Sequence, residues 1–135
     1  MPSSIFELTS AVAVSPISAK ARPVTAASDA ATTLTAAQCV QGIVTMTPSA
    51  GRALTTPTGA DLKTFFDGRL EIGASFELTV VNVAAATNAI TLTAAASGIT
   101  LGGVAGMATV AAASSATYVF VCTAVGTPAF TVYRK

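Results

Sequence analysis

Between Gly73 and Val83 the large apolar residues fall at every second position: Phe76, Leu78 and Val80 alternate with Ser75, Glu77 and Thr79. A period of two places three large side chains on one face and polar ones on the other, which predicts a half-buried β-strand. Gly73 before it and Asn82 near its end read as turn and breaker residues. Shorter alternating runs recur on both sides. Thr32–Thr35 is a brief strand candidate, Ile43–Thr47 stops at Pro48, and Arg52–Thr56 stops at Pro57. Further on come Ala89–Thr93, Ile99–Leu101, Met107–Val110, Ala116–Thr123 and Ala129–Tyr133, parted by Gly, Ser, Asn and Pro. Many short strands at intervals of roughly 8–12 residues predict an all-β sandwich or barrel. Alanine favours helices in isolation. Here the Ala runs are mixed with Thr and Val and hemmed by Gly and Ser, so they read as tight loops and close-packed sheet faces.

Two stretches break the strand period. Ala36–Gln41 has helical propensity for one to two turns, with Thr35 as N-cap and Gly42 as stop. From Thr58 to Gly68 the signal is clearer. Thr58 is the N-cap, Asp61 lies in the first turn, and Leu62, Phe65 and Phe66 supply an apolar face to dock on the sheet. The aromatic pair reads as core rather than as a ligand platform.

Residues 1–30 carry a different pattern. Ile5, Phe6 and Leu8 form a small apolar knot, Ala11–Val14 is a short strand candidate, and Pro16, Pro23 and small residues follow. Proline favours extended geometry before it, so this segment reads as an extended N-terminal arm or a frayed terminus. The expected organisation is therefore an arm over 1–30 and a β-sandwich domain over 31–135. That domain is jelly-roll-like, with about eight short strands and one short helix.

Composition sharpens this reading. The chain has 135 residues, enough for one domain with a proper core. Charged residues are 10% of the chain, against roughly a quarter in an average soluble domain. No Asp, Glu, Lys or Arg occurs from Leu78 to Tyr133. Such a surface is weakly protected against self-association, so life inside an assembly is expected. The net charge is +1 and the basic residues are scattered, which argues against nucleic-acid binding. The uncharged span is rich in Thr, Ser and Gly and its large residues alternate, so no transmembrane helix is expected. Ala19-Lys20-Ala21 mimics a cleavage pattern, but no basic stretch precedes it, Glu7 and Pro16 interrupt the apolar run, and no signal peptide is expected.

The chain contains no His and no Trp. Its six carboxylates have no acid–base spacing, and its hydroxyls have no base to activate them. Gly102-Gly103 lacks the context of a phosphate loop. Neither a catalytic activity nor a metal or other cofactor is expected. Cys39 and Cys122 are too far apart in sequence for a metal-ligand spacing; they read either as two buried thiols or as a bridge.

Several segments in order carry a resemblance: Leu34–Gln38, Gly42–Val44, Arg52–Leu62, Gly73–Asn82, Ala89–Thr93 and the final Phe130–Tyr133. Over roughly 32–133 this resembles the small β-sandwich decoration (cement) and head-fibre-type proteins of tailed bacteriophages. The resemblance implies a virion structural protein, assembled in the host cytoplasm and seated on the outside of the capsid. There it would bridge major capsid protein subunits, as a homo-oligomer and often a trimer. Candidate contact residues come from the arm (Ile5, Phe6, Leu8 and Arg22) and from the charged turns (Arg52 and Arg69). Two other readings stay open: a surface fibre, pilin or adhesin-like sandwich with a Cys39–Cys122 bridge, and a small-ligand or glycan-binding module.

Overall fold

The computed structural model describes residues 21–135. Ile5, Phe6, Leu8 and the strand candidate Ala11–Val14 therefore lie outside the described residues. The described chain is β-rich. It runs β1 (Val24–Ala26), β2 (Thr32–Thr33), α1 (Ala36–Cys39), β3 (Ile43–Met46), β4 (Arg52–Thr55), α2 (Gly59–Phe66), β5 (Ser75–Asn82), β6 (Ile90–Thr93), β7 (Ile99–Leu101), a 3-10 turn (Ala105–Ala108), β8 (Thr109–Val110), β9 (Ser114–Ala124) and β10 (Ala129–Arg134).

The strands form a six-stranded sheet in the order β1-β3-β5-β9-β10-β7 and a four-stranded sheet in the order β2-β4-β6-β8. Up to β8 the chain alternates between them, with odd strands in the larger sheet and even strands in the smaller. Parallel neighbours need a crossover connection. Here the strands of the opposite sheet provide it, so β1, β3 and β5 lie parallel, as do β2, β4 and β6. Parallel pairing also joins β7 to β10, whereas β5–β9, β9–β10 and β6–β8 are antiparallel. A jelly roll is an antiparallel architecture. The mixed pairing found here departs from that expectation.

The alternation predicted for β5 is realised along its length. Phe76, Leu78, Val80 and Asn82 are buried, while Ser75 is exposed and Glu77, Thr79 and Val81 are half-buried. Its neighbour β9 buries Ala116, Tyr118, Phe120 and Cys122 in the same manner. The buried sides of both sheets contribute to one apolar cluster, with Val44, Leu78, Phe120 and Phe130 from the larger sheet and Leu54, Ile90, Leu92 and Val110 from the smaller. Phe76 sits at its aromatic centre, stacked on Phe120 at 4.7 Å and tilted against Phe66 at 5.8 Å between ring centroids.

Both helices begin as their sequences dictate. Thr35 and Gln38 form a reciprocal capping box, and Thr58 Oγ1 accepts the Asp61 amide at 3.1 Å. α2 ends with Asp67 in the left-handed region (φ 47°) followed by Gly68 at φ 80°. Its docking is narrower than expected. Leu62 is fully buried and Phe66 half-buried, but Phe65 is 42% exposed. The strand expected over Met107–Val110 is only β8, because Ala105–Ala108 forms the 3-10 turn. Gly103, at φ 95°, lets the chain reverse before it.

One end of β5 is locked by a polar group. Asn82 is 1% exposed; its Nδ2 donates to the Asn88 and Val110 carbonyls at 2.8 and 2.9 Å, and its Oδ1 accepts the Ala84 amide at 3.0 Å. The residue expected to break the strand instead ties the larger sheet to β8 of the smaller one.

Candidate contact surface

Alternation along the larger sheet leaves an outward face built from Thr, Val and Ser. On β9 this face carries Ser115, Thr117, Val119, Val121 and Thr123; on β10 it carries Thr131 and Tyr133. Thr79 Oγ1 and Thr117 Oγ1 lie 3.1 Å apart on neighbouring strands, in a row shared with Ile43 and Val24. Glu77 is the one charged residue on the outward positions of these strands, and Lys135 Nζ neutralises it at 3.0 Å. A face with so few charges loses little hydration when covered, because few ions must be stripped of water.

The arginines proposed as contacts have separate local partners. Arg22 Nε donates to the Gln41 carbonyl at 2.8 Å, fixing the chain as it enters β1. Arg52 Nε meets Asp29 Oδ1 at 2.7 Å, and the same carboxylate accepts the Ser49 amide and hydroxyl. Together these donors hold the Asp29 carboxyl well below the usual carboxylate range, with the Arg52 hydrogen bond as the largest cause. Arg69 Nε caps α2 through the Phe66 carbonyl at 2.9 Å. Each of these arginines is thus held by a different acceptor: the Gln41 carbonyl, the Asp29 carboxylate or the Phe66 carbonyl.

Comparison of the chain with protein-family models, curated proteins and solved structures gave no match.

Three of the exposed large apolar side chains, Val104, Met107 and Tyr133, lie at the β7 end of the sheet, while Val24, Phe65, Ile72 and Val83 lie elsewhere. Tyr133 is 50% exposed and lies against Gly102, where an added Cβ would come within 2.7 Å of its ring. Met107 covers Gly103 in the same way, and Val104 is 73% exposed. Below them is a recess of about 310 Å³ lined by Leu101, Tyr118, Val132, Met107 and Arg134 among others. Tyr118 Oη and Arg134 Nη1 both donate to the Met107 carbonyl, at 3.0 and 3.4 Å, and Arg134 also reaches the Thr109 carbonyl at 2.8 Å. Burial raises the Tyr118 phenol above its ordinary pKa, so the hydroxyl stays a donor near neutrality. These polar groups clamp the 3-10 turn onto the sheet. The outward place of Tyr133 was readable in the alternation of Ala129–Tyr133; the recess was not, since it depends on which strand ends the sheet.

A second, more open groove of about 530 Å³ lies between the start of α1 and α2, lined by Leu34, Thr35, Asp61, Thr64 and Phe65 among others. Among the described residues no group of three or more Cys, Asp or Glu could hold a metal ion, and no helix is long and apolar enough to cross a membrane. Cys39 and Cys122 are both free and buried. Desolvation pushes the Cys39 thiol up to about 12, the direction of an inert core thiol rather than a nucleophile.

Proposed function

We propose that this protein is a structural building block of a virion. It sits on the outside of an assembled capsid as a homo-oligomer, with three copies as the working number, and bridges major capsid protein subunits. The observation that carries the proposal is the outward face of the six-stranded sheet, where Glu77, paired with Lys135, is the sole charge among Thr, Val, Ser and Tyr. A free protein gains nothing from such a face, whereas a permanent interface is favoured by it. The two sheets, sharing one apolar cluster, fit a sandwich-type domain whose role is area and rigidity. Many weak contacts repeated by symmetry then give avidity without any single strong site. The surface-fibre alternative expected a Cys39–Cys122 bridge, and the two free thiols do not favour it.

Co-sedimentation with empty capsids of the source virus tests the reading. Saturable binding at a fixed ratio to the major capsid protein is expected, and absence of binding overturns it. Light scattering after size exclusion should report a stable oligomer. A clean monomer at high concentration would remove the oligomeric part of the proposal.

A further inference from the structure

The larger sheet has two open edges, and they differ. At the β7 edge, Phe130 N donates to the Gly98 carbonyl at 2.8 Å and Gly102 N donates to the Val132 carbonyl at 2.7 Å. Backbone groups alternate sides along a strand. Gly98, Thr100 and Gly102 therefore face β10, while the N–H and C=O groups of Ile99 and Leu101 point away from the sheet. No strand among the described residues pairs with that side. The recess of about 310 Å³ lies on the core side of this edge, with Leu101, Val132 and Tyr118 in its lining. Its lining continues through Val104 and Met107 of the segment after β7 to Arg134.

The sequence contains a segment with the right pattern for that place. Phe6-Glu7-Leu8-Thr9 repeats Phe76-Glu77-Leu78-Thr79 of β5 residue for residue, and the alternation continues through Ser10, Val12 and Val14. In β5 the same tetrapeptide buries Phe76 and Leu78 and turns Glu77 and Thr79 outward. This segment precedes Ala21, and the chain enters the sheet at β1, the edge opposite β7. From residue 8 to residue 21 an extended chain spans up to about 43 Å at ~3.3 Å per residue. The sheet is only about 24 Å wide at ~4.8 Å per strand spacing.

We infer that residues 5–14 of one copy add as a strand to the β7 edge of a second copy, with Phe6 or Leu8 closing the recess beside Leu101. This rests on the oligomeric reading above and names the surface through which the copies join. Donor segment and β7 edge are different parts of the chain, so the contact is heterologous and closes as a ring when the rotation between copies permits. Strand addition supplies affinity through the Ile99 and Leu101 backbone groups, and the recess supplies specificity.

Residue-resolved amide exchange on the full chain tests this, comparing wild type with the Phe6→Asp/Leu8→Asp double variant. In the assembled wild type, the Ile99 and Leu101 amides should exchange at least about tenfold more slowly than in the variant. Protection of the β5 and β9 interiors in both proteins shows that the variant is folded. Diluting the wild type to monomer should abolish the difference. Protection that survives dilution means the segment pairs within its own chain, and protection at Val24 and Ala26 instead means it covers the β1 edge; either overturns the inference. An oligomer in which Ile99 and Leu101 exchange fast also overturns it while leaving the assembly reading intact. A protein that is monomeric at every concentration overturns both.

Discussion

Replacing Asn82 tests how the two sheets are joined. Its side chain is buried and makes three hydrogen bonds, to Ala84 N, Asn88 O and Val110 O. Asn82→Leu keeps the branching of the side chain, though its methyl groups are bulkier, and leaves the buried Ala84 amide without its acceptor. An orphaned buried donor costs about 1–3 kcal/mol, and two weakened carbonyls add roughly 1 kcal/mol, giving a loss of about 2–4 kcal/mol. Asn82→Asp retains an acceptor for Ala84 but aims a carboxylate at two carbonyl oxygens. Burial and those dipoles raise the folded-state pKa of the new acid above its unfolded value of about 3.9. The folded state then binds more protons than the unfolded state between the two values, so stability falls as pH rises through the folded pKa. Each pH unit between the two values costs ~1.4 kcal/mol, so the Asp variant should be less stable, relative to wild type, at pH 7 than at pH 4. Urea unfolding of all three proteins at both pH values measures this. Losses within about 0.5 kcal/mol of wild type for Asn82→Leu, or an Asp deficit independent of pH, would refute the clip.

Three further outcomes are expected. An added Cβ at Gly59 would collide with the Pro128 carbonyl and lie 3.1 Å from Gly98 Cα, so Gly59→Ala should destabilise by about 1–3 kcal/mol despite the better helix propensity of Ala; a neutral result in chemical denaturation would count against this close approach. The Asp29 carboxyl titrates below its unfolded value, so its contribution is present above the usual carboxylate range and is lost as pH falls through the folded pKa. Asp29→Asn should therefore flatten part of the acid limb of a pH–stability profile, and an unchanged limb would contradict it. With its thiol buried and its pKa pushed up to about 12, Cys39 should resist alkylation at pH 8 in the folded protein and react once unfolded; rapid labelling of the native state would show the site to be open.

The local pattern determined much of this protein. The period of two in Phe76–Val80 is enough to place β5 and its buried face, because side-chain alternation is a property of the extended backbone itself. Thr35 and Thr58 marked the helix starts for an equally local reason: each hydroxyl accepts an amide three residues on. The charge-free stretch from Leu78 to Tyr133 announced the composition of the outward face before any strand was paired.

Pairing order was beyond that reach. The alternation of strands between two sheets, the parallel partners and the place of β7 at the sheet edge all join residues far apart in sequence. Alternation says which face a side chain takes, never which strand lies beside it. For the same reason Asn82 read as a breaker until Val110 was placed within reach of its amide. Met107 likewise read as strand until Gly103, Tyr118 and Arg134 were seen to hold its segment as a tight turn. The recess beside Leu101 is lined by β7, the segment after it, Tyr118, Val132 and Arg134, which only the tertiary structure brings together.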